Sequence, residues 1–205
     1  IVLLLETWCG EHSTFELEGY TYFNFNRKFQ HKNARRNSGG VAMFCSLDIV
    51  EGVKVIRNHF DTLIWVKLDK VLLNLDEDIY LCSAYVWGAD SPAYNVVNVN
   101  LFEILESDID EFSSVGAVYV AGDLNGRVGR KPDYISFDAN INGLNSADYT
   151  PDVPSSRASD DQTLNTQGVQ ILDLCKSTGL RVCNGRYNNC KTGAFTFVGN
   201  NGCSV

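Results

Sequence analysis

The chain has 205 residues, 44% of them hydrophobic, with 17 basic against 25 acidic side chains and a formal net charge of −8. That is enough apolar material for one substantial core, and the sign of the charge excludes a protein that coats nucleic acid by counterion release over its whole surface. The longest apolar run is one strand long, so neither a membrane span nor a secretory leader is expected.

Taken in order, apolar runs rich in β-branched and aromatic residues predict strands at 1–6 (IVLLLE), 39–46 (GGVAMFCS), 53–58 (VKVIRN) and 62–69 (TLIWVKLD). Four more are predicted at 79–88 (IYLCSAYVWG), 117–125 (AVYVAGDLN), 180–185 (LRVCNG) and 194–199 (AFTFVG). Helical spacing appears at 98–114, where Leu101, Ile104, Leu105, Ile109 and Phe112 form one stripe with Glu103, Glu106, Asp110 and Glu111 off it. It appears again at 163–178, with Leu164, Gly168, Ile171, Leu172 and Cys175 aligned and Gly179 placed to cap the end. The link between 53–58 and 62–69 is too short for a helical crossover, so that pair is expected to be antiparallel. The fold class expected is α/β: mixed, mainly antiparallel sheets with helices outside them, rather than a doubly wound parallel sheet.

A stretch at about 130–162 carries no periodic pattern and reads as an insertion loop in a single domain. Asp138, Asn140, Asn142 and Gly143 match the start of a calcium loop, but its twelfth position is Tyr149 and no helices flank it, so a calcium-binding module is disfavoured. The seven cysteines form no C-x-x-C pair, which favours buried thiols in a reducing compartment over a zinc site or a disulfide framework. Between Arg27 and Leu47 lie Arg27, Lys28, Lys32, Arg35, Arg36 and His31 with no acid among them, a local patch able to grip phosphates or a solvated loop. His12, His31 and His59 read as surface or structural residues. Arg157 and Asp161 read as an i,i+4 surface pair. Trp8 and Trp87 each stand two residues past a candidate site residue; core packing is the default for both, a nucleic-acid groove the alternative.

The chemistry concentrates at strand ends. The run VYVAGDLNGRVG (118–129) closes on Asp123, with Asn125 two positions on and Gly126 and Gly129 in the turn, where they would let the chain bend and a bulky substrate approach. Glu6 ends its run in the same way, and Tyr85 lies near the end of a third. Two carboxylates beside neutral donors, without a histidine or cysteine cluster, are hard oxygen ligands suited to Mg²⁺ or Mn²⁺.

The segments LLLETWC (3–9), GGVAMF (39–44), YLCSAYVWG (80–88), VAGDLNGRVG (120–129), NTQGVQILDLCKSTGLRVCNGR (165–186) and GAFTFVGNNGCSV (193–205), in that order, resemble the endonuclease/exonuclease/phosphatase superfamily. The likeness is greatest to the endonuclease domain of non-LTR retrotransposons, relatives of DNase I. The resemblance implies a four-layer sandwich of two packed sheets flanked by helices. It further implies a magnesium-dependent phosphodiesterase that nicks DNA to prime a reverse transcriptase domain of the same polypeptide, inside the cell and in the nucleus when acting on DNA. By motif position Glu6 resembles the metal ligand, Asp123 the acid that orients or deprotonates the attacking water, Asn125 the amide that holds the phosphate, and Tyr85 a phosphate donor. Thr196 and Ser204 resemble site-lining residues, and the cations at Arg27, Lys28, Lys32, Arg35 and Arg36 would contact the DNA backbone. Relatives carry a strand with a site asparagine before E-T-W and a Ser-Asp-His segment after S-x-I-D. This chain starts after the first and stops before the second, so an incomplete domain with weak or no activity of its own is expected. A phosphatase or phospholipid phosphodiesterase of the same superfamily and a degenerate, non-enzymatic mobile-element remnant are the alternatives.

Overall fold

The computed structural model describes residues 1–10, 13–26, 39–136, 151–187 and 190–196. They fall into two compact units, Ile1–Trp87 with Pro92–Leu124, and Gly88–Ser91 with Asn125–Val205.

The first unit holds two sheets. Strands β1 (Val2–Leu5), β2 (Tyr20–Phe25) and β3 (Val41–Ser46) form an antiparallel sheet in the order β1-β3-β2. Strands β4 (Val53–His59), β5 (Leu63–Leu68), β6 (Ile79–Tyr85) and β7 (Ala117–Asp123) form the second, in sequential order. β4, β5 and β6 pair antiparallel, as their short connections require; β6 and β7 pair parallel. A parallel pair needs a crossover, and the chain between them supplies the short helices' worth of turn at Ala93–Val96 and the long helix Leu101–Ser113. Helices are numbered in chain order: α1 (Lys70–Leu73), α2 (Ala93–Val96), α3 (Leu101–Ser113) and α4 (Thr166–Thr178).

Alternation along each strand divides its side chains between two faces. Met43 and Cys45 of β3 meet Val53 and Val66 of the four-stranded sheet, with Leu3, Phe23, Phe25, Leu68 and Leu81 packed around them. That is the seam between the sheets. On the opposite face Trp65 meets Phe112 of α3 edge-on at 4.9 Å, and Tyr80 stacks on the same ring at 4.8 Å. The predicted stripe of α3 is therefore the buried one: Leu101, Leu105, Ile109 and Phe112 all lie in the core.

One acid shares that buried face. Asp108 accepts hydrogen bonds from Arg57 Nη1 (2.5 Å), Trp65 Nε1 (2.7 Å) and His59 Nε2 (2.9 Å). Arg57 also forks onto Glu111 and covers the Phe112 ring at 4.7 Å. The Glu111 and Asp108 carboxylates raise the Arg57 pKa still further. His59 is thus structural, tying the end of β4 to α3.

The second unit holds α4 and long connections. Asn165 caps the helix by accepting from the Gly168 amide at 2.8 Å, and Gly179 closes it in the left-handed conformation. Gly168, Ile171, Leu172 and Cys175 are buried as predicted; Leu164 lies outside the helix, bridged to Val128. Elsewhere arginines satisfy loop carbonyls that no ladder covers. Arg157 Nη2 donates to the Gly129 carbonyl (2.6 Å), Arg130 Nε to Ser159 (3.0 Å), and Arg186 to Val182 and Ser155 (2.5 and 2.6 Å). Burial pushes the Asp133 carboxyl up, but the bidentate Arg186 guanidinium (2.8 and 2.9 Å) and the Val182 amide outweigh it and hold the group below its ordinary value.

Several expectations are corrected. Strand β2 was not foreseen. Residues 180–185 form no strand, because their backbone is spent elsewhere: the Val182 amide donates to Asp133, and the Gly185 carbonyl accepts from the distant Ala158 amide. Residues 194–196 form no strand either, while 197–199 lie outside the described residues. Arg157 and Asp161 do not pair; Asp161 is held by Arg127 (2.7 and 2.8 Å). β7, expected to be a buried strand, is an edge strand with Tyr119 and Ala121–Asp123 exposed. The calcium-like loop at 138–149 lies outside the described residues.

Six described cysteines are free thiols. Burial raises the Cys82 thiol well above its ordinary value and Cys175 to about 11, whereas Cys183 is exposed. In a timed iodoacetamide reaction with the native protein, mass spectrometry is expected to find Cys183 modified first among the described cysteines and Cys45, Cys82 and Cys175 only after denaturation.

Candidate active site at a strand-end rim

Three chain segments of the first unit deliver polar side chains to one place. β6 ends on Tyr85 and β7 on Asp123, and the parallel register sets these two residues directly opposite each other. The backbone around Tyr85 is fixed from both sides. Its amide donates to the Thr62 carbonyl (2.8 Å), its carbonyl accepts from the buried Thr62 hydroxyl, and the next amide, Val86, donates to the Asp123 carbonyl (2.9 Å). Gly122 permits the close pairing: it stands at φ +141°, and a Cβ there would lie 2.0 Å from the Ala84 carbonyl oxygen.

Glu6 arrives from the other sheet. It follows β1 with φ +52°, a left-handed conformation rarely held by a glutamate, and its Oε1 accepts the Tyr85 hydroxyl hydrogen bond. Glu6 and Asp123 are exposed and Tyr85 half-buried, so the group faces solvent at the rim of the sheets. Tyr85 thus links the two, through its hydroxyl to Glu6 and through its backbone register to Asp123.

The other candidates are placed differently. Asn125 belongs to the second unit, where its backbone sits at φ +50° and its carbonyl accepts from Asn165 Nδ2 (3.0 Å); the same Asn165 receives the Arg127 amide (2.8 Å). Asn165, the N-terminal cap of α4, therefore also holds the Asn125–Arg127 turn. Gly126 makes no room for a substrate: a Cβ there would strike Ile171 Cδ1 at 2.2 Å, so this glycine lets the turn pack on α4. Thr196 is exposed on the wall of a polar concavity in the second unit shared with Arg127, Arg157, Asp161 and Asn184. Ser204, His12, His31 and the cations Arg27, Lys28, Lys32, Arg35 and Arg36 lie outside the described residues.

No family model, curated protein or solved structure matches this chain.

What the rim can do chemically follows from its donors. Among the described residues no three His, Cys, Asp or Glu side chains cluster as a closed metal cage. Magnesium does not need one, since it binds through one or two carboxylates and keeps several waters. Glu6 accepts one hydrogen bond from Tyr85, and a carboxylate has about four lone-pair directions to offer. The donor set therefore fits a hard divalent cation. Among the described residues no helix is long and apolar enough to cross a membrane.

Missed among the polar residues are Asp108, Asp133 and Asp152, acids that pair with arginines distant in sequence, while Asp161 pairs with Arg127 in place of Arg157. The Arg127 guanidinium and the Thr163 amide hold the Asp161 carboxyl down at about 2 from its ordinary 3.8. A depressed carboxyl stabilises the fold above its unfolded value and ceases to do so as pH falls through the folded one. Asp161→Asn is accordingly expected to melt slightly lower than wild type at neutral pH, with the two melting curves merging as pH drops from about 4 to about 2.

Proposed function

We propose that this chain carries a magnesium-dependent phosphodiesterase site of the endonuclease kind, acting on DNA. The observation that supports it is that Tyr85 donates its hydroxyl hydrogen bond to Glu6 and is the register partner of Asp123, which joins three segments far apart in sequence. Glu6 is the residue to hold the cation, with Mn²⁺ as a substitute. When bound, the metal would neutralise phosphate charge and make a coordinated water more acidic. Asp123 is the base: its carboxylate takes a proton as the water oxygen bonds to phosphorus and the bond from phosphorus to the 3′-oxygen breaks. That oxygen takes up a proton to leave the 3′-hydroxyl a polymerase needs as a primer. Tyr85 fixes the Glu6 carboxylate with its single hydroxyl hydrogen, which it would have to turn away from Glu6 to donate to a phosphate oxygen. Asn125, Thr196 and Ser204 are assigned to substrate binding, as are Arg27, Lys28, Lys32, Arg35 and Arg36.

The four-layer DNase I-like sandwich belongs to the same reading; two packed sheets with α3 against one of them are what supports it. A reverse transcriptase domain as covalent partner and action in the nucleus are the biological corollaries.

Calorimetric titration with Mg²⁺ and incubation with supercoiled plasmid test the reading together. Magnesium binding that is lost in Glu6→Gln is the expected result, with plasmid relaxation weak at most but still in preference to hydrolysis of inositol phosphates. Equal magnesium binding by wild type and Glu6→Gln would remove the metal site, and turnover of the inositol phosphates alone would move the protein to the phosphatase branch.

A further inference from the structure

Arg157 carries a charge that no carboxylate among the described residues meets in an ion pair. Its Nη2 donates to the Gly129 and Lys131 carbonyls (2.6 and 3.5 Å), while its Nε is buried without a hydrogen-bond partner. Such a donor on a charged group is costly to leave unmet. Burial lowers the Arg157 pKa from its ordinary value; Asp133 opposes the shift only in part, because Arg186 already holds that carboxylate and its own charge pushes the other way. The fold nonetheless clamps the segment that carries Arg157. Ala158 N donates to the Gly185 carbonyl and Asp160 N to the Gly193 carbonyl, both at 3.0 Å, and a Cβ on Gly185 or Gly193 would fall 1.9 or 2.2 Å from the Ala158 carbonyl oxygen. Arg157 lines a polar hollow of about 90 Å³ in the second unit with Arg127, Asp161, Asn184 and Thr196. Arg127 gives Nε and Nη2 to Asp161 and keeps Nη1 without a hydrogen bond among the described residues. Two guanidinium groups against one carboxylate leave the hollow positive in a chain of net charge −8.

We infer that this hollow is a seat for one phosphate group, taken as the free anion or as a phosphodiester of a polynucleotide. A tetrahedral oxyanion supplies what Arg157 lacks, a negative charge and acceptor oxygens, and a guanidinium fork matches its geometry. The Arg127 fork neutralises Asp161, the one lining group that would repel an anion, and Thr196 at the exposed lip offers a hydroxyl. The volume excludes a larger guest, since pockets for drug-sized molecules hold about 300–1,000 Å³. Whatever the phosphate is attached to stays outside. The seat uses neither a metal nor Glu6, Tyr85 or Asp123, so it stands or falls apart from the nuclease reading, with which it shares only Thr196.

The full chain, in magnesium-free buffer at constant ionic strength, is titrated with inorganic phosphate by calorimetry and with a fluorescein-labelled DNA duplex by anisotropy. Arg157→Gln and Thr196→Glu are each expected to weaken binding about 10- to 100-fold, the range for loss of a hydrogen bond to a charged group. Thr196 is exposed, so Thr196→Glu sets a carboxylate at the lip of a folded protein even where loss of the Gly129 contact unfolds Arg157→Gln. Val153→Glu adds the same charge at a residue 72% exposed and outside the lining, and it is expected to bind as wild type does. Saturable binding of inorganic phosphate that Thr196→Glu weakens supports the seat with the free anion as ligand. Binding of the duplex alone, weakened in the same way, supports it with the phosphodiester as ligand. Binding of neither, an affinity unaltered in Thr196→Glu, or an equal loss in Val153→Glu overturns the seat and leaves magnesium binding at Glu6 untouched.

Discussion

Asp123→Asn is expected to fold normally and to lower magnesium-dependent plasmid nicking by about 10²- to 10⁴-fold, the usual loss when a general base is removed. The variant should fold because Asp123 is an exposed residue at the end of an edge strand, and its described structural duty, the carbonyl that accepts from Val86, belongs to the backbone. Asparagine keeps the size and the hydrogen-bonding shape of the side chain but cannot take up the proton of water near neutral pH. Single-turnover nicking with protein in excess is the measurement, since it registers slow chemistry without a demand for product release. Nicking at the wild-type rate with an unchanged magnesium isotherm would show that Asp123 is not the base.

Asp108→Ala is expected to destabilise the protein by about 3–5 kcal/mol, the loss typical when one member of a buried ion pair is removed. The carboxylate is 3% exposed and satisfies three donors at once. Its removal leaves the Trp65 indole N–H buried without an acceptor and the Arg57 guanidinium without its inner partner. For a chain of this size the melting midpoint should drop by about 10 °C or more. Asp108→Asn, which keeps an acceptor for the indole, should lose less, and Glu111→Gln, at the exposed prong of the Arg57 fork, should change little. Thermal melts followed by near-ultraviolet circular dichroism read the packing of Trp65 directly, and an Asp108→Ala protein that melts with wild type would refute the hub.

The strands of the two sheets were legible wherever side-chain burial made their residues apolar. Val41–Ser46 and Leu63–Leu68 are buried on both faces, one against the other sheet and one against α3 or its own surroundings, and they read as continuous apolar runs. Tyr20–Phe25 is half-buried beyond its exposed first residue and mixes Thr21 and Asn24 with aromatic residues, a pattern that a search for apolar runs passes over. The run at 180–185 has strand-like Leu180, Val182 and Cys183, but Asp133 and Ala158, distant in sequence, claim its amide and carbonyl groups, and no local pattern announces that. At the rim, Glu6, Tyr85 and Asp123 were visible as polar residues closing apolar runs. Their mutual placement was not, because it depends on sheet order and on the register of β6 with β7, properties of pairing and not of any one segment. Asp108 was hidden for a related reason: its partners Arg57, His59 and Trp65 lie on strands some fifty positions earlier, so an acid on an amphipathic helix looked unremarkable.

The parallel pairing of β6 with β7 also imposes a chronology. β4, β5 and β6 follow one another through short links and can zip up from local encounters, but β7 can join only after the intervening segment with α3 has swung across and docked. Tyr85 and Asp123 become neighbours in that final event. A newly made chain would therefore hold the antiparallel β4–β6 framework before its rim is assembled, and any chemistry shared by Tyr85 and Asp123 would wait on the docking of α3.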